Sequence, residues 1–444
     1  MRVTRRSALR LSAGAAAATW LGPRGLLAQS AASDSSVAVA ARIQSDLERH
    51  AAFGEKFSGG AGDTSTAQWI AGRLADAGYE VTTSTFDAPY FIPRRTVLRI
   101  GDVSVDVMAQ APVVTTTAEG ITAQLALVEG GLNERGGIDA QVRGRIAVVV
   151  LPFARHAALF TTRGIGMTVY AAAQAGAAAV VIVTSGPSGE AVALNAPEEP
   201  FVDVPAAVLA PRDAAAILEA ARDGRTATLV LDGEATHRPS LNVVAKLERG
   251  PRWFAMSTPR SGWFDCVTER GTGTSAFLEI AQWAPQRFPD KSIFLMNTGG
   301  HEYFFAGSHR VLHEAPPPES TDAWAHIGAT LAARDARRNE DGTWEMLDTP
   351  DPNRWVMTSA AARSAVAQSF GHLVGYDAPR EIQPQAGELS TFTDLGHQHA
   401  FAALGVHRWF HTRSDSLEKT DAALVVPVLQ AHQRTIERLL DQDM

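Results

Sequence analysis

A single cysteine, Cys266, sets the first limit on what chemistry this chain can do. One thiol forms no internal disulfide and builds no cysteine-rich zinc centre, so any metal must be held by His, Asp and Glu. Cys266 follows Asp265 with no base beside it and reads as a buried, inert thiol rather than a nucleophile. Ser257 and Ser261 precede His301, a pairing that could suggest a serine hydrolase, yet no Gly-x-Ser-x-Gly elbow is present. Gly299-Gly300 is too short a signal for a phosphate loop. The histidines say more. His301 adjoins Glu302, and an imidazole titrates in the range that suits a general base. His326 falls in a run read as a strand, where positions 326, 328 and 330 would share a face. It reads first as a structural histidine and second as a site residue. His397, His399 and His407 follow a loop at uneven spacing, which predicts a surface or rim position.

These residues need a scaffold. Helical periodicity covers residues 37–50 and resumes after Asp63 and Thr64, with Trp69, Ile70 and Leu74 on one face and Gly78 as the stop. From about residue 112 to 234 the texture changes to short continuous apolar runs: 125–128, 146–151, 178–183 and 206–209. Such runs suit buried strands of a small α/β or barrel-like module. Beyond Pro239, strands are predicted at 241–247, 252–256, 292–296 and 323–331, with helices at 272–283 and 421–440. Residues 335–354 are polar and predict a long surface loop. Strands alternating with helices imply an α/β fold, a mixed, largely parallel sheet flanked by helices on both faces.

With 444 residues the chain is long for one core. A net charge of −8 leaves no basic footprint, which excludes nucleic acid as an expected partner. Paired arginines Arg5-Arg6 ahead of a weakly apolar run, with small residues at 28–32, predict a twin-arginine signal over residues 1–32. The mature protein is then expected in the periplasm or secreted, with no membrane association once the signal is removed. Its oligomeric state is not legible.

Read in order, several strings resemble metallopeptidase family 28, the co-catalytic zinc aminopeptidases. Phe57-Ser58-Gly59, Ala67-Gln68-Trp69-Ile70 and Ala77-Gly78-Tyr79-Glu80-Val81 look like the family's opening, and Leu241-Asn242-Val243-Val244-Ala245 resembles the strand that re-enters its peptidase domain. Gly144-Arg145-Ile146-Ala147-Val148-Val149 and Ala175-Gly176-Ala177-Ala178-Ala179-Val180 look like the protease-associated domain often inserted there. The resemblance therefore implies a peptidase-like domain from 33–111 and 236–444 and a protease-associated insert at 112–235.

It also implies a site. Where the family has His-x-Asp-Ser, this chain has Thr258-Pro259-Arg260-Ser261; for Asp-Asn-Ala-Ser-Gly it has Glu269-Arg270-Gly271-Thr272-Gly273. The Glu-Glu pair becomes His301-Glu302, Asn-x-Asp becomes Gly328-Ala329-Thr330, and His411-Thr412-Arg413-Ser414-Asp415 is intact. By this resemblance Glu269, Glu302 and His411 keep one set of zinc ligands, while Thr258 and Thr330 abolish the other. One zinc with an open water position would polarise a carbonyl. His301 would take the base's place, His326 could assist, and Arg260 would either oppose a second ion or clamp a substrate carboxylate. The expected function is a one-metal peptidase or amidohydrolase of peptide or amide substrates. A glutaminyl cyclase-like acyl-transfer enzyme and a metal-free homologue that acts as a binding protein are the alternatives.

Overall fold

The computed structural model describes residues 23–129, 131–155, 157–158, 166–383 and 387–441. Arg5-Arg6 and the apolar run after them lie outside the described residues. Met1–Val39 and Ala40–Met444 form two compact units. The described part of the first is the opening of a helix with bounds Pro23–Ala52. No helix of the described residues is long and apolar enough to cross a membrane.

The second unit is built on one large sheet. Its middle holds four mutually parallel strands, in spatial order Ser292–Thr298, Trp253–Pro259, Thr321–Ile327 and Ala400–Gly405. The first three are buried at nearly every residue, and helices cover the sheet, which is why they read in sequence as continuous apolar runs rather than alternating ones. Phe294, Met296, Ala255 and Trp324 pack on one face with Leu389 and Phe392. At the edge, Arg354–Thr358 runs antiparallel to Ala400–Gly405.

Two long strands, Glu80–Ile100 and Thr226–Leu247, pair antiparallel along most of their length. The second joins Ser292–Thr298 at one end and Ile121–Val128 at the other, so the sheet continues into the segment at 112–235. There Ile121–Val128, Ile146–Phe153, Ala179–Ser185 and Ala206–Leu209 lie parallel. Ile146, Val148, Ala179 and Val181 face one core cluster, while Ala147, Val149, Val180 and Ile182 face another. Alternate residues enter opposite cores, so every position in these runs is apolar.

Two expectations are corrected. The strand predicted to reach residue 331 ends at Ile327, and Thr330 adopts a left-handed backbone with φ of 52°. Positions 326, 328 and 330 therefore do not share a pleat. Residues 334–350 form a hairpin, Arg334–Arg338 against Trp344–Pro350, rather than a structureless loop.

Four parallel strands ending side by side define a rim. From it leave Arg260-Ser261, Gly299-Gly300-His301-Glu302, Gly328-Ala329-Thr330 and the chain toward His407 and His411. Ligand sites of open α/β sheets gather at this C-terminal edge.

Candidate functional site

At the rim the adjacent pair His301-Glu302 is split in two directions. After Thr298 the chain makes a tight turn in which Gly300 takes φ of 69°, and a Cβ there would sit 2.8 Å from the Phe86 ring. Residues 301–303 then form a single 3-10 turn. Glu302 points inward: one carboxylate oxygen accepts from the Ser58 amide at 3.1 Å and hydroxyl at 2.7 Å, the other from Ser261 Oγ at 2.7 Å. Burial pushes its carboxyl above the ordinary range, and the serine donors pull it back. His301 points the other way, with Nδ1 3.0 Å from Glu388 Oε2.

Glu388 is a buried junction. Thr298 donates to its Oε1 at 3.1 Å, Ser308 also bonds that oxygen, and His326 Nε2 lies 3.9 Å from Oε2. His326 Nδ1 is 2.9 Å from Ser257 Oγ, which accepts from the Trp324 indole at 2.9 Å. Burial holds the His301 imidazole well below its usual range and His326 at about 4, so both are neutral near pH 7.

Glu269 and Arg270 lie in the π-helical turn Val267–Gly271 that opens the helix Thr272–Arg287. Asp415 fixes this turn by accepting from the Thr268 and Glu269 amides at 2.8 and 3.0 Å. Thr330 donates its amide to the Glu269 carbonyl at 2.8 Å. The Glu269 side chain meets Arg270 Nη2 at 2.8 Å and His411 Nε2 at 3.4 Å. Arg270 Nε donates to the Ser261 carbonyl at 2.8 Å, while its Nη1 has no hydrogen-bond partner. Burial pushes the Glu269 carboxyl up, but Arg270 and His411 outweigh it and hold the group at about 2. His411 Nδ1 lies 2.9 Å from the Ala193 carbonyl, so that nitrogen carries the proton and donates.

The segment around Ala193 closes over this array. Its amides reach the His411 carbonyl at 2.8 Å and, from Ala196, the Glu302 carbonyl at 3.1 Å; Asn195 accepts from the Trp263 indole at 2.8 Å. All six non-glycine residues with positive φ among the described residues flank these motifs: Phe264, Cys266, Phe304, Phe305, Thr330 and His411. Such backbone costs on the order of 1–3 kcal/mol per residue and persists only where the surroundings fix it.

The structure thus departs from several sequence expectations. Arg260 is wholly buried: Nε pairs with Asp63 at 2.7 Å, Nη1 with Asn297 at 2.8 Å, and Nη2 with the Leu241 carbonyl. Every nitrogen is spent inside the protein, so it cannot clamp a substrate carboxylate. Asp63 is its partner and also accepts from Gly59 and Ser240. His407 is buried between Thr330 and Asp415, and His397 against Trp324, so neither is a rim residue. Cys266, by contrast, is buried as expected, and burial raises its thiol well above the usual range.

A zinc ion does not fit these donors. Glu302 is saturated by three hydrogen bonds and does not join Glu269 and His411, whose shared carboxylate is already neutralised by Arg270. Among the described residues no group of three or more His, Cys, Asp or Glu side chains could hold a metal ion. The alternative reading of Glu269, that its longer side chain simply bonds Arg270, is the pairing the structure has. Arg270 follows Glu269 directly in the chain, and its guanidinium offsets that carboxylate's charge.

With this geometry in view, comparison with known proteins is informative about architecture. No protein-family profile matches the sequence, and no curated protein does. Solved structures do match. An aminopeptidase from Aneurinibacillus sp. strain AM-1 aligns with a TM-score of 0.65 at 17% identity, over 90% of this chain and 93% of that one. A peptidase M28 precursor from Shewanella amazonensis gives 0.66 at 17%, over 90% and 95%. A zinc aminopeptidase from Bacillus subtilis gives 0.64 at 16%, over 90% and 94%. The chain has the zinc-aminopeptidase fold. At these identities the likeness speaks for the fold alone, and the site must be read from its own residues.

Proposed function

We propose that this protein works without a bound metal, as a receptor for peptide or amide ligands built on the zinc-aminopeptidase fold. The observation that carries this reading is the buried Arg270–Glu269 pair at 2.8 Å. A guanidinium supplies one fixed positive charge to a carboxylate that a dication would otherwise have to neutralise, and a dication beside that guanidinium would be repelled. Arg270 Nη1, buried with no partner, is a donor available to a ligand carbonyl or carboxylate. Within the same proposal, residues 112–235 are a protease-associated insert, and Arg5-Arg6 serve twin-arginine export to the periplasm or medium.

Elemental analysis of the purified chain tests the metal-free claim. We expect no stoichiometric zinc, whether grown or dialysed with it. One zinc per chain that is lost in His411→Ala would return the protein to one-metal hydrolysis. Thermal-shift screening with short peptides then reads the binding claim: stabilisation by a ligand should be lost in Arg270→Gln, and an unchanged response in that variant would refute the assigned site.

A further inference from the structure

Two of the rim side chains that keep a polar atom without a hydrogen-bond partner could serve a substrate carbonyl. One is Arg270, whose Nη1 is described above. The other is His301, the end of a polar series that runs Trp324, Ser257, His326, Glu388, His301, hydrogen-bonded at every step except His326 to Glu388, where the two stand 3.9 Å apart. Direction along this series follows from what each group can donate. The Trp324 indole only donates, so Ser257 Oγ accepts from it, and its own proton is free to go to its other partner, His326 Nδ1. His326, neutral, then carries its ring proton on Nε2, facing Glu388. With Thr298 and Ser308 donating to Oε1, the remaining oxygen of Glu388 receives His301 Nδ1–H. That leaves Nε2 of His301 as a bare lone pair. Exposure singles out the same residue: the His301 side chain is 17% exposed, against 6% for His326 and 1% for Glu388.

Resting on the metal-free reading of the site, we infer that His301, positioned by Glu388, is a general base for metal-independent hydrolysis of an amide or ester carbonyl, with Arg270 Nη1 donating to the carbonyl oxygen. His301 Nε2 takes a proton from water as the water oxygen bonds to the carbonyl carbon. Negative charge developing on the carbonyl oxygen meets the guanidinium N–H, a donor held in a water-poor site where such a bond is strongest. Collapse of the adduct breaks the bond to the leaving nitrogen or oxygen, which receives the proton from His301 Nε2–H. Water and substrate give a carboxylic acid and an amine or alcohol, and His301 returns to its starting form. The orientation of base by buried carboxylate is the arrangement that holds an imidazole in one tautomer in hydrolases of unrelated fold. No oxidant, metal or second substrate is needed.

The test uses the full chain after EDTA treatment, with p-nitrophenyl acetate as the ester probe and a panel of amino-acid p-nitroanilides as amide probes. Zinc content is measured on the same samples. Turnover insensitive to EDTA is expected. His301→Ala should lower kcat/KM by ~100-fold or more, the span over which a general base acts, and added imidazole should restore part of it. His301→Gln, which keeps a bond to Glu388, should be equally inactive if the alanine variant folds poorly. Glu388→Gln should lower kcat with KM little changed and without imidazole rescue. His372→Ala, at an exposed imidazole outside the series, controls for surface esterase activity and should match the parent. Full activity in both His301 variants overturns the inference, as does a zinc-free chain inactive on every probe, which leaves the metal-free receptor standing. Zinc-dependent turnover would overturn both.

Discussion

Replacing Arg270 by methionine removes the cation and keeps the length of the side chain. Glu269 is then a carboxylate with no exposure, facing His411 alone. Its pKa stands at about 2 instead of 4.5: burial pushes it up, and Arg270 is the largest of the influences that pull it down. At ~1.4 kcal/mol per pH unit that fall corresponds to ~3 kcal/mol of net stabilisation. Breaking one partner of a buried pair costs ~3–5 kcal/mol by the same physics, because a charge is left buried and unpaired. Arg270→Met should therefore lose ~3–5 kcal/mol in urea denaturation at pH 7. Glu269→Gln in the same background removes the stranded charge, so the double variant should recover ~2–3 kcal/mol of it, a coupling of the size found for residues in contact. The wild-type contribution is fully present above pH 4.5 and is lost as pH falls toward 2, since the folded-state value is depressed. If the two substitutions cost independent amounts that simply add, or if Arg270→Met costs under ~1 kcal/mol, the pair does not hold the site as described.

Other perturbations read other parts of the structure. His432 is buried between Phe370 and Phe401 and held at about 4, so folding excludes a proton that the unfolded chain takes up below pH 6.5. Stability should fall by up to ~3 kcal/mol per such histidine between pH 6.5 and 4, and urea titrations at pH 7 and 4.5 should show a smaller loss in His432→Phe. Glu302→Gln should cost ~1 kcal/mol, because an amide can still pair with Ser58 and Ser261, whereas Glu302→Ala strands three donors at ~3 kcal/mol or more. Equal costs would mean that the charge, not the hydrogen bonding, matters. Asp415→Ala leaves the Thr268 and Glu269 amides without their acceptor, for ~2–4 kcal/mol. Hydrogen exchange should quicken first across residues 267–271, and uniform loss of protection would count against Asp415 as the anchor of that turn.

The architecture was readable because its parallel strands are buried on both faces and so appear as apolar blocks in a fixed order. Ile146–Phe153 and Ala179–Ser185 show this best. What failed was whatever depends on pairings that leave no apolar period in the sequence. The hairpin Arg334–Pro350 buries little, so no hydrophobic period marks it. Arg260 looked available for substrate, yet its acceptors Asp63, Asn297 and Leu241 come from three other elements. At the site, motif order located Glu269, His301, Glu302 and His411 at one rim but could not say how they group. Folding separates Glu302 from the others through Ser58, pairs His301 with Glu388, and gives Glu269 to its own neighbour Arg270. Adjacent residues of opposite charge in a regular helix point apart; the π-turn that lets Glu269 and Arg270 meet leaves no mark in composition.

The central claim is that a guanidinium neutralises Glu269 where the fold invites a metal. An anomalous difference map at the zinc edge, from crystals grown with zinc, addresses it directly. The account predicts no peak at Glu269, Glu302 or His411, and an Arg270 guanidinium still paired with Glu269 in the refined structure. A peak bonded to Glu269 and His411, with Arg270 turned away, would contradict it.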